Sequence, residues 1–193
     1  MTFPHWQFFE SLDDELDSLS RAIEFAPENF STFSVQLTRL YLSTCSEIDV
    51  VAKLLCARIA PSNSAGCITD YRIIVTKHFP NFAQLHIELP TYGLDFQPWL
   101  SWVSGTNPAW WKSYNDVKHE RNKYYRDANL GNVLESAAGL LVVLVYFHQP
   151  ELYTLSPPMR PEFKTMRIEK QYVRIPHLSV HWSLPDFGKS STG

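Results

Sequence analysis

The chain has 193 residues, of which 45% are apolar, 14% aromatic and 19% charged, with a formal net charge of −3. That is enough chain and enough apolar side chain for one domain with a real core, and it argues against a disordered chain. Three cysteines without a C-x-x-C pair exclude a disulfide framework and a zinc ribbon.

Charge is unevenly spread. Residues 1–60 hold nine acids against four bases, whereas residues 110–174 hold ten bases against seven acids. A basic surface in the second half would attract an anion or a phosphate backbone. The first residues have no basic stretch and no small-residue cleavage site, so no secretory signal is expected. The apolar run "AAGLLVVLVYF" is read as too short to span a bilayer. The expected setting is cytoplasmic, with no membrane association.

The first predicted element is an amphipathic helix. Phe8, Leu12, Leu16, Leu19 and Ile23 step by four and three between acidic positions, over roughly five turns. Pro27 stops it. The second helix is predicted over about residues 28–59. Leu37, Tyr41, Thr44, Ile48, Val51 and Leu55 form its stripe, widened by Leu40, Val50 and Leu54. So broad an apolar surface marks a central helix. Cys45 and Cys56 fit there as small core residues. Glu47 borders the stripe, and a partly buried carboxylate needs a cationic partner. Lys118, His119 and Arg121 are the candidates. Glu47 is then either one half of a structural ion pair or a carboxylate orienting His119.

The middle, residues 61–107, is less regular. "TDYRIIVTKHF", with Thr69 as N-cap, fits a short helix or a strand. Pro90, Gly93, Pro98 and Gly105 forbid a long element after it. A third helix is predicted from Pro108 to Tyr125, with Asn107 as its N-cap. A fourth, apolar almost all round, is predicted from about Asn132 to Phe147 and ends before Pro150. The rest, residues 150–193, holds six prolines and the β-leaning patches "FKTMRIEK", "QYVRI" and "LSVHWSL". It is expected to be an extended or hairpin tail packed on the helices. The expected organisation is a helical domain over 1–149 and this Pro-rich tail over 150–193.

The third helix carries the candidate chemistry. At helical spacing Trp110, Tyr114, Val117, Arg121 and Tyr124 share one face, read as the core contact. Trp111, Asn115, His119, Asn122 and Arg126 share another, with Lys118 beside it. Guanidinium and ammonium groups hold phosphate, amides orient it, and an imidazole moves a proton near neutral pH. Such a set suits metal-independent RNA cleavage, in which cations steady the growing negative charge. No H-E-x-x-H, G-x-S-x-G, P-loop or G-x-G-x-x-G occurs, so neither a metal nor a nucleotide cofactor is expected.

The order "CSEIDVVAKLL", "WWKSYNDVKHERNKYY", "LESAAGLLVVLVYF" resembles the HEPN superfamily over about residues 5–148. The resemblance implies a mainly α fold, an antiparallel bundle of four to five helices. Many members are metal-independent endoribonucleases of toxin–antitoxin, abortive-infection and other antiviral systems. They dimerise, and two copies of an Arg-x4–6-His motif make one site. In this chain His119 takes the place of the motif histidine, and Asn115 that of the polar residue following the motif arginine. The arginine itself is absent, since Tyr114 precedes Asn115. Arg121 would supply charge from the other side of His119. The resemblance thus implies His119 and Arg121 as catalytic, Lys118, Asn115, Asn122 and Arg126 as phosphate- or RNA-binding, and Glu47 and Tyr114 as supporting. It implies a homodimer, RNA as ligand and a protein partner from the same operon. The alternative is a non-catalytic interaction or regulatory subunit of such a system, with contacts through Trp99, Trp102, Trp111 and the tail.

Overall fold

The computed structural model describes residues 5–150 and 164–168. Five helices follow one another: α1 (Trp6–Ser20), α2 (Val35–Ile59), α3 (Ile68–His78), α4 (Ala109–Tyr124) and α5 (Leu130–Phe147). A small antiparallel sheet is built from β1 (Ile87–Leu89), β2 (Leu94–Phe96) and β3 (Arg167–Ile168), in the order β2-β1-β3. The mainly helical bundle agrees with the sequence reading.

The α1 stripe buries Trp6, Phe9, Leu12, Leu16 and Leu19. The helix stops at Ser20, short of Ile23. The next helix starts later than expected. Pro27–Asn29 closes a separate 3-10 turn, and the chain then extends so that Phe33 pairs with Asn129. Only at Ser34 does α2 begin, where the Ser34 hydroxyl accepts from the Leu37 amide at 3.1 Å. Eleven residues of α2 are buried, including Cys45 and Cys56.

Packed along α2 is α5, which buries residues all round its surface. Its N-cap is Asn129, whose side chain accepts from the Asn132 amide at 3.0 Å. Two glycines permit close approach. A Cβ on Gly139 would stand 3.1 Å from the Trp110 ring, and one on Gly131 would stand 3.1 Å from Phe30 Cβ. The whole of α5 spans 18 residues, long and apolar enough to cross a membrane, where the shorter run read from the sequence was not. Within the fold 78% of it is buried.

The middle segment resolves as helix, then hairpin. α3 is capped at Cys67, not Thr69, because the Asp70 carboxylate accepts from the Gly66 and Cys67 amides at 2.9 and 3.2 Å. These bonds hold the Asp70 carboxyl below its ordinary pKa. β1 and β2 pair through a turn in which Gly93 takes φ 64°, a conformation open to glycine. β3 completes the sheet, with Ile168 opposite Ile87. Strand structure in the tail was therefore legible at "FKTMRIEK", while "QYVRI" and "LSVHWSL" lie outside the described residues. Buried Asp13 fixes this piece of tail to α1, accepting from the Lys164 amide, the Thr165 amide and the Thr165 hydroxyl.

The tryptophans correct one expectation. Trp99, Trp102 and Trp111 are 1%, 4% and 6% exposed, so they are core residues and not surface contacts. Trp99 donates to the Gly139 carbonyl at 3.1 Å, and Trp110 to the Pro98 carbonyl at 2.9 Å. Rings 99, 102, 110 and 111 form a chain of tilted and edge contacts between α5 and the start of α4.

Candidate functional site

α4 enters from Pro108, which is its N-cap. Asn107, expected in that role, has its side chain engaged instead with Arg72 at 3.0 Å and Thr69 at 3.4 Å. The helix is then fastened to α2, where the Tyr41 hydroxyl donates to the Trp110 carbonyl. Trp110, Trp111, Tyr114 and Val117 are all buried. Trp111 thus joins the core and leaves the polar stripe. Arg121 leaves the expected core face and is exposed.

Arg121 stands three residues after Lys118 and so shares its side at helical spacing, and just before it α4 has a break. Glu120 has φ −132° and ψ 49°, outside helical values. No proline or glycine lies within α4, so neither causes the break. Lys118, Arg121, Asn122 and Tyr125, spaced by three, four and seven residues as on one helix face, line with His119 one open groove of about 710 Å³. Val117 and Leu42 supply its apolar lining.

The groove unites four predicted residues: Lys118, His119, Arg121 and Asn122. Among the described residues, its lining contains two permanent cations and no carboxylate. Such a surface favours an anion. Lys118 Nζ also lies 5.4 Å from the centre of the Tyr114 ring. Burial raises the pKa of the Tyr114 phenol, and Lys118 partly opposes the shift. Tyr114 packs edge-on against Tyr41, so it supports α4 from the inside.

The other predicted residues go elsewhere. Asn115 is half-buried and donates back to the Trp111 carbonyl at 3.0 Å. Arg126 is outside the lining, with its guanidinium 5.4 Å from the Phe33 ring centre. Glu47 pairs with none of Lys118, His119 or Arg121. Its Oε1 lies 2.6 Å from His5 Nδ1. His119 therefore has no carboxylate orienting it from α2. Among the described residues, no group of three or more His, Cys, Asp or Glu side chains is placed to hold a metal ion.

Two residues escaped the sequence reading. Tyr125 lines the groove, and its spacing of seven residues from Lys118 and four from Arg121 was the available signal. Glu135 is the only charged residue of α5, and burial raises its pKa to about 7. A lone acid in the apolar run "LESAAGLLVVLVYF" was the available signal.

Comparison of the chain with family models, curated proteins and solved structures finds no match.

Proposed function

We propose that the groove beside the α4 break binds RNA, and that the protein is a HEPN-like, metal-independent endoribonuclease or RNA-binding relative of a bacterial defence or toxin–antitoxin-type system. One observation carries the reading: Lys118, His119, Arg121 and Asn122 line a single open groove with no carboxylate among them. Lys118 and Arg121 hold the phosphate, and Asn122 orients it. His119, the exposed imidazole, takes the proton from a 2′-hydroxyl or returns one to the leaving oxygen. Cationic side chains in place of a metal stabilise the charge that grows on the phosphate. In a homodimer two such grooves would combine, as the HEPN resemblance implies.

The interaction-subunit alternative loses its aromatic contacts, since Trp99, Trp102 and Trp111 are buried. The test of the catalytic step is degradation of total RNA in EDTA by the wild type and by His119→Ala. Loss of about 100-fold or more in rate in the variant supports His119 as acid or base. Equal rates remove it from that role.

A further inference from the structure

The groove has an aromatic wall that the cation-binding reading does not use. Tyr125 lines it, in the 3-10 turn Tyr125–Asp127 that follows α4. Its ring stands edge-on to Phe33, with centroids 5.4 Å apart and planes at 85°. Phe33 is 37% exposed, yet its backbone is fixed by the bridge to Asn129 and by the Leu130 amide donating to the Thr32 carbonyl at 2.9 Å. Arg126 lies over the Phe33 ring. A half-buried phenol ring is thus held in place beside two phosphate-binding cations.

We propose that Tyr125 is a base-stacking residue and that the groove takes single-stranded nucleic acid, with one base against Tyr125 and the adjoining phosphate at Lys118 and Arg121. The inference rests on the RNA-binding reading and narrows it. An aromatic face beside a cationic groove fits an unpaired base, which exposes its π-face. In a duplex both faces of a base are covered by its neighbours, so only the phosphates reach the protein. Phe33 acts through Tyr125 by fixing its ring, which makes it a positioning residue.

The experiment titrates a fluorescein-labelled single-stranded 10-mer RNA, and the same sequence as a duplex, against wild type, Tyr125→Phe, Tyr125→Leu and the double variant K118A/R121A. The expected result is tighter binding of the single strand than of the duplex. Tyr125→Leu weakens single-strand binding by about 5- to 100-fold, while Tyr125→Phe retains it. The duplex affinity is unchanged by either. Circular dichroism of each variant shows whether the fold is kept, and Tyr125→Gln, which also lacks the aromatic face, takes the place of Tyr125→Leu should that variant unfold. Equal single-strand binding by wild type and Tyr125→Leu, with loss in K118A/R121A, overturns the stacking role and leaves the RNA-binding reading standing. No binding of either RNA by the wild type overturns both.

Discussion

Glu47 Oε1 lies 2.6 Å from His5 Nδ1, and this contact ties the start of α1 to the middle of α2. His5 has φ 68°, a left-handed conformation in a residue with a Cβ. Such a conformation costs about 1–3 kcal/mol and persists only where its surroundings hold it. The Glu47 carboxylate and the edge contact with Phe147 do so. Glu47→Ala and His5→Ala are each predicted to lower stability by about 1–2 kcal/mol, and the double variant by less than the sum. Denaturant melts of the four proteins measure this. RNA binding should be unaffected, since neither residue lines the groove.

Glu135 predicts a pH dependence. Its carboxyl is raised from an ordinary 4.5 to about 7 because burial disfavours the charged form. The unfolded chain therefore loses this proton before the folded one does. The stabilising contribution is full below pH 4.5, is lost as pH rises, and is gone above about pH 7. The loss amounts to at most about 3 kcal/mol. Glu135→Gln should flatten the stability profile between these pH values and be more stable than wild type at pH 8. Thermal or urea melts across the pH range provide the check.

Asp13 predicts how the tail is held. Three hydrogen bonds from residues 164 and 165 end on its buried carboxylate. Asp13→Ala should cost about 2–3 kcal/mol and leave two amides unsatisfied. It should also release residues 164–168 from β1, read as faster amide exchange at Ile168 with little change in α2 or α5.

Gly139 predicts the effect of closing a contact. An added methyl would sit 3.1 Å from the Trp110 ring, which is buried and hydrogen-bonded to Pro98. Gly139→Ala should destabilise by about 1–3 kcal/mol despite the better helix propensity of alanine. A lower urea midpoint with an unchanged slope would show it.

The helices were legible wherever a stripe, a cap and a stop agreed. "LESAAGLLVVLVYF" reads as a buried helix from composition alone, and Trp110, Tyr114 and Val117 are buried as their spacing required. Position 33 was not legible as extended chain, because what pulls Phe33 out of α2 is pairing with Asn129, a partner 96 residues away. The identity of Glu47's partner was hidden for the same reason. His5 lies 42 residues off, and nothing local distinguishes it from Lys118 or Arg121. Within the site, Lys118, His119, Arg121 and Asn122 were legible because their polar and charged side chains crowd about one turn of α4. Arg126 was misplaced because it lies past the end of α4, in the 3-10 turn Tyr125–Asp127, whereas Tyr125 was missed although it stands seven residues after Lys118.

The central claim is that the groove at Lys118, His119, Arg121 and Asn122 binds RNA. Its most direct test is the salt dependence of single-stranded RNA affinity for wild type, Lys118→Ala and Arg121→Ala. Each phosphate contact adds about 0.7 to the slope of log affinity against log salt. The account predicts that each substitution weakens binding and lowers that slope by roughly 0.7–1. Slopes and affinities identical in all three proteins would contradict it.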